Sequence, residues 1–182
     1  MSHRGALRRL IHITLTLEID DMHATAHAPR QDYLRITPSL FRKYLDFSMA
    51  IPLDHTLRVL VDIRASQLNG CAFCLDMHVK QGKLHGEREL RLHHVAIWRE
   101  SPLFSARERA ALAWTEALTR LDTAGVSDAL YAEASEHLLP DELNALTYQV
   151  MAINGWNRIN IAFRQTPGSQ DKAFGLDKAD MA

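Results

Sequence analysis

Cys71, Cys74 and His78 are the residues of this chain whose types and spacing could do chemistry together. They lie in Asn69-Gly70-Cys71-Ala72-Phe73-Cys74-Leu75-Asp76-Met77-His78 and include both cysteines of the 182-residue sequence. On a helix starting near Cys71, at ~100° per residue, Cys74 and His78 come within ~60° of Cys71 on one face. Two thiols and an imidazole then project into one space. A cysteine in a first helical turn meets backbone N–H groups that lack partners, and these stabilise a thiolate. A free thiol with pKa ~8.5 is only a few per cent ionised at neutral pH. An imidazole with pKa ~6.5 can take its proton directly or through one water. A thiolate that attacks an oxidant becomes a sulfenic acid, and a neighbouring thiol condenses with it to a disulfide. The pattern supplies the two thiols and the base that such chemistry needs.

Blander readings of the same residues stand beside this one. Two cysteines on an amphipathic helix also suit a packed core, where free cysteine is common. As zinc ligands, Cys71, Cys74 and His78 would need a fourth donor such as His85, His93 or His94. Three ligands on one continuous helix face fit a tetrahedron poorly. A thioredoxin-type site would follow a strand within a βαβ unit, a pattern this chain lacks. The spacing favours chemistry over stapling, because cysteines this close constrain little of the unfolded chain.

The elements that must position these residues read as helix after helix. Thr37 can cap and Pro38 suits a first helical position, which opens a segment to about Ala50. Asp54 can cap a second helix running to about Leu68, and Asn69-Gly70 breaks it. A third spans about Cys71 to His85, before Gly86, and a fourth about Glu87 to Trp98. Ser105-Ala106-Arg107-Glu108 is a capping-box pattern ahead of a helix to about Leu121. Ser127 opens another to Leu138, and Pro140-Asp141-Glu142 opens the longest, to about Arg164. Sustained period-2 alternation is missing, apart from a short stretch at His12 to Leu17. The expected fold is all-α, a single-domain helical bundle over residues 31–166. A poorly ordered extension (1–30) precedes it, with Met22 a candidate start, and a mobile tail (167–182) follows. Trp98, Trp114 and Trp156 sit among apolar neighbours and read as core or subunit-interface anchors. His93 and His94 read as surface residues, and His55 and His137 as helix-end residues.

Composition narrows the partners. Hydrophobic residues at 47% and charged residues at 24%, with a net charge of −1, describe a soluble globular chain without a nucleic-acid-binding field. No run approaches the ~20 apolar residues that cross a bilayer. Arg4, Arg8 and Arg9 before Leu10 to Leu17 superficially copy a signal peptide. However, His12 and two threonines interrupt the apolar part, and Glu18, Asp20 and Asp21 occupy the cleavage region. Cytoplasm is the expected compartment, with no cofactor and no membrane or nucleic-acid partner.

The stretch Ala65-Ser66-Gln67-Leu68-Asn69-Gly70-Cys71-Ala72-Phe73-Cys74-Leu75-Asp76-Met77-His78 resembles the signature of the alkylhydroperoxidase D-like, or carboxymuconolactone decarboxylase, family. Trp98 to Phe104 and Ile153 to Asn160 are similar to the same group, so the resemblance covers about residues 33–165. It implies an all-α fold that assembles as a trimer or hexamer. It also implies a peroxidase in which Cys74 attacks the hydroperoxide, Cys71 resolves it to a disulfide and His78 relays the proton. The disulfide would then be reduced by a dithiol partner such as a lipoyl-bearing protein. One position departs from the pattern: where the family has a relay glutamate, twelve residues before the first cysteine, this chain has Val59. A valine neither orients His78 nor moves a proton, and Asp62, one helical turn on, is the carboxylate in a place to substitute. The histidine that some members carry between the cysteines is Phe73 here. A lactone decarboxylase of the same fold, which would need no cysteine pair, and a non-catalytic redox-sensing or zinc-binding oligomer, in which Val59 marks lost activity, are the rival readings.

Overall fold

Short polar caps start most of the elements. The computed structural model describes residues 28–179, all the regular structure there being helical. Asp32 caps a one-turn helix α1 (Tyr33–Ile36), and α2 (Pro38–Ala50) follows with proline in its first turn. Thr37 makes no capping bond to α2, its hydroxyl donating back to Tyr33 O at 3.1 Å. The Asp54 carboxylate accepts from Leu57 N at 2.9 Å and opens α3 (His55–Asn69). Gly70, at φ 69°, closes α3 in the left-handed region that glycine enters at no steric cost, and α4 (Ala72–Leu84) begins at once.

The expected fourth helix is shorter than its sequence pattern. It forms α5 (Glu89–His94), and its last turn tightens into a 3₁₀ turn (Val95–Ile97) before buried Trp98. The Ser105–Glu108 capping box opens α6 (Ala106–Thr119), and Ser127 caps α7 (Asp128–His137). The long α8 (Pro140–Phe163) ends at Arg164, whose φ is 52°.

Central α3 packs on α4, α6 and α8, so it buries residues on every side, among them Leu57, Leu60, Val61, Ile63 and Ala65. Polar side chains tie its flank: Arg64 pairs with Glu116 at 2.6 Å, and Glu116 also accepts from Trp98 Nε1 at 2.8 Å. Outside this core, α2 lies on α8 where Gly155 removes a side chain. A Cβ there would stand 1.9 Å from the Tyr44 hydroxyl, which donates to Ala152 O at 2.9 Å. Trp156 is spent in the same contact, against Tyr44 (centroids 4.6 Å apart), with its Nε1 donating to Ser48 Oγ at 3.0 Å.

Within the stretch expected as a tail (167–182), regular structure continues to Ala179. Asp171–Phe174 forms α9 and Leu176–Ala179 a 3₁₀ turn that packs back on α4, with Leu176 and Ala179 buried. Lys80 of α4 clamps this return, pairing with Asp171 at 2.6 Å and Asp76 at 2.8 Å. Two apolar side chains and a shared cation supply a docking surface that periodicity over so short a stretch does not display. The expected extension lies outside the described residues up to position 27, as do the signal-peptide reading and the Met22 start.

Candidate functional site

The turn between α3 and α4 is held from below by an amide cluster. Asn69 Nδ2 donates to Asn154 Oδ1 at 2.9 Å and Asn157 Oδ1 at 2.8 Å, both on α8. Cys71 N donates to Ser66 O at 3.0 Å, which brings Cys71 to the N-cap of α4, one residue before the expected first position. The displacement gives the two sulfurs different stations. Cys71 Sγ accepts from the backbone N of Cys74 at 3.3 Å, while Cys74 sits inside the first turn, where helix N–H groups favour a thiolate.

The two cysteines form a disulfide, their Cα atoms 5.4 Å apart, within the span such a bond requires. Each residue is 2% exposed, among Ala65, Phe73 and Ile153, with Met77 and Trp156 packed alongside. Asn160 Nδ2 reaches Cys74 Sγ at 3.5 Å from α8, and Asn160 Oδ1 accepts from the Tyr33 hydroxyl at 2.9 Å. Burial, with the charge of Asp32 adding to it, pushes the Tyr33 phenol up to about 12.

His78 lies one turn beyond Cys74 on the same helix. Its Nδ1 is 2.8 Å from Gln81 Oε1 and 3.6 Å from Asp62 Oδ2. Asp62 is 3% exposed, and its other oxygen accepts from Gln149 Nε2 at 2.7 Å. Burial raises the Asp62 carboxyl, opposed by His78, the Gln149 bond and Arg58. The carboxylate available to His78 is therefore the one a turn beyond Val59. Val59 belongs to the apolar cluster of Leu60, Ile63 and Leu92, at the same helix pair but one turn further from the cysteines, beside Gly82.

His55, His85 and His94 are engaged elsewhere. His85 stacks on His55 with centroids 3.6 Å apart, and His94 Nδ1 meets Ser101 Oγ at 3.0 Å. Among the described residues no three His, Cys, Asp or Glu side chains are grouped to hold a metal ion.

The carboxymuconolactone decarboxylase family model matches residues 38–117, a span that takes in the cysteine motif. YdfG of Bacillus subtilis, an uncharacterised protein, is 35% identical over 144 residues, covering 78% of this chain and 98% of YdfG. The chain belongs to the carboxymuconolactone decarboxylase family. A family resemblance at the level of structure joins it to ATU0492 of Agrobacterium tumefaciens, a protein of unknown function proposed as an antioxidant defence protein AhpD. The TM-score is 0.74 at 34% identity, over 77% of this chain and 98% of that one. The debrominase Bmp8 shares the fold at TM-score 0.64 and 16% identity, over 81% of this chain and 80% of that one. The all-α, alkylhydroperoxidase D-like fold is thus the one expected from the cysteine signature. No helix among the described residues is long and apolar enough to cross a membrane.

Sequence reasoning reached Cys71, Cys74, His78 and Asp62; the structure places the cysteine pair at the α3–α4 turn and brings His78 and Asp62 together midway along the two helices, one turn beyond Cys74. It missed Gln81, Gln149, Asn160 and Tyr33. A signal existed for Asn160, since Asn154, Asn157 and Asn160 recur every three residues along the apolar second half of the helix, a stripe that demands buried partners. None existed for Tyr33, which reaches the site across 127 positions of sequence.

Proposed function

We propose that this chain is an antioxidant thiol peroxidase of its family, reducing hydroperoxides at Cys74. The observation that carries the reading is the joined cysteine pair at the start of α4, with His78 one turn away and facing a buried carboxylate. In the reduced protein the Cys74 thiolate attacks the terminal peroxide oxygen, and the O–O bond breaks. Cys74 becomes a sulfenic acid, and the leaving alkoxide takes a proton, with His78 the nearest relay. The Cys71 thiol then attacks the Cys74 sulfur and expels water, so two thiols are oxidised for one peroxide reduced. A dithiol such as a lipoyl-bearing protein returns two electrons and two protons. The described residues need supply no cofactor or metal for these steps, and cytoplasm is the compartment whose thiol poise suits them.

Association into a homotrimer or homohexamer is part of the reading. It is supported by the exposed apolar side chains that α2 and α8 share, notably Leu40, Phe47, Tyr148 and Met151, with the Phe47 and Tyr148 rings 6.2 Å apart. Trp156, the sequence candidate for an interface anchor, is used within the chain instead.

Thiol titration against hydroperoxides tests the chemistry. One equivalent should consume both thiols with a mass loss of two hydrogens. Cys71→Ser should stop at a sulfenic acid, and Cys74→Ser should leave peroxide untouched. If Cys74→Ser still consumes peroxide while Cys71→Ser does not, the roles are reversed. Oxidation of neither thiol by any hydroperoxide would remove the peroxidase reading.

A further inference from the structure

The three asparagines of α8 do not share one task. Asn154 and Asn157 are fully engaged with the turn before Cys71 and its surroundings: Asn69, Thr119 and Arg158 meet Asn154, while Asn69 and Ser66 meet Asn157. Asn160, 5% exposed, holds its two amide atoms against different partners. Its oxygen takes the Tyr33 hydroxyl at 2.9 Å, and its nitrogen points to Cys74 Sγ at 3.5 Å.

A disulfide sulfur is a weak acceptor, and burying a primary amide against one recovers little of the desolvation cost. A thiolate is a strong acceptor, and a hydrogen bond to a charged group is worth about twice a neutral one. The amide therefore suits the reduced, ionised state of Cys74. Its orientation is set from the far side. A phenol held protonated through neutral pH can keep donating to Oδ1, which leaves Nδ2 turned toward the sulfur. Tyr33 is itself fixed, stacked on Phe163 with centroids 5.7 Å apart, and Arg30 N donates to Phe163 O at 2.9 Å.

We infer that Asn160 is a catalytic residue of the thiol site, donating from Nδ2 to the Cys74 thiolate, and that Tyr33 is the positioning residue that aims it. The inference rests on the reading of Cys74 as the attacking thiol. It adds a second source of thiolate stabilisation to that of the α4 first turn. It also bears on recycling. When a dithiol reductant passes two electrons to the Cys71–Cys74 bond, Cys71 takes a proton and Cys74 is left as the thiolate, its proton released to solvent. A donor waiting at Cys74 stabilises that product and makes the disulfide easier to reduce.

The test isolates the Cys74 thiol in the full chain carrying Cys71→Ser and follows its alkylation by iodoacetamide across pH. Asn160→Leu keeps about the size of the side chain, adds no charge beside the sulfur and removes the donor. It should slow alkylation near neutral pH by about 10–100-fold, the worth of a hydrogen bond to a charged group. The rate plateau at high pH should be unchanged. Tyr33→Phe keeps the ring stacking, frees the amide to turn and should move the profile in the same direction by a smaller factor. A residue that only ties α1 to α8 would shift melting and leave the pH profile in place. Superimposable profiles for a folded Asn160→Leu overturn the inference. Should that variant fail to fold, superimposable profiles for Tyr33→Phe overturn it equally. Alkylation consumes no peroxide, so the two readings fail separately. Shifted profiles in a protein inert to hydroperoxides retain Asn160 and remove the peroxidase. Peroxide turnover with unmoved profiles does the reverse.

Discussion

Asp62→Asn should slow the oxidation of the thiols by about 10–100-fold while leaving the protein as stable as before, or more so. The carboxylate stands 3.6 Å from His78 Nδ1. At an effective dielectric constant of about 20, full charges at that separation attract by about 5 kcal/mol. Burying the carboxylate returns much of this, since desolvation in a real protein costs several kcal/mol per ion. A remainder of about 1–3 kcal/mol is what a partner that orients a working histidine typically contributes, equivalent to the stated rate range. The stability expectation follows from the raised carboxyl of Asp62. A carboxylic acid whose folded pKa lies above its unfolded value favours folding most when protonated. That contribution is fully present below the unfolded value and is lost as pH rises through the folded one, so ionising the buried carboxyl costs stability. Asparagine removes the ionisation and can still accept from Gln149. Stopped-flow oxidation of the reduced variant by a hydroperoxide, with its melting temperature at neutral pH, checks both halves. A folded Asp62→Asn protein that oxidises at the native rate refutes Asp62 as the partner of His78. A large fall in melting temperature refutes the account of its cost.

Restoring the family carboxylate with Val59→Glu should give no gain in rate and should destabilise by about 2 kcal/mol or more, measured by denaturant melting, because Val59 is 3% exposed among apolar side chains. A faster variant would reinstate position 59 as the relay site that the family pattern suggests. Acid should unfold the protein progressively below about pH 4.5. Burial alone would raise Glu108 and Glu116, but Arg91 and Ser105 for the first, and Trp98, Arg99 and Arg64 for the second, hold both below the ordinary 4.5. Folded values below the unfolded ones add stability above pH 4.5, and this is lost as pH falls through the folded values. Glu116→Gln should therefore lower stability at pH 7 by about 1 kcal/mol, partly screened at the surface, and flatten the acid limb of a melting curve against pH. Sedimentation at micromolar concentration should find a trimer or hexamer, and a stable monomer of 20.6 kDa would contradict the assembly.

Local chemistry made much of the fold legible. Aspartate, serine and proline caps mark the starts of α2, α3, α6, α7 and α8, because a cap satisfies donors within three residues of itself and so leaves its mark in adjacent sequence. The same holds for Cys74 and His78, whose spacing on one helix places them on one face, whereas Cys71 proved to be the N-cap just before it. The shortened α5 and the docked return after Gly168 were less visible, because each depends on a surface offered by distant residues: the Glu116 carboxylate for Trp98, and Lys80 for Asp171.

At the site, sequence alone determined which atoms could react and that a carboxylate was missing at position 59. It also placed Asp62 one turn along as a candidate to replace it. Only the tertiary structure decided that Asp62 turns to His78 whereas Val59 turns to the apolar cluster at Gly82. That choice depends on how α3 is rotated against α4, and the rotation is set by packing around the whole of a buried helix. Only the fold, too, carried Asn160 to Cys74 across 86 positions of chain, and Tyr33 to Asn160 across 127. Hydrogen bonds over such separations leave no periodicity to read. They arise where α1 and the end of α8 meet, a junction that exists once the core has formed.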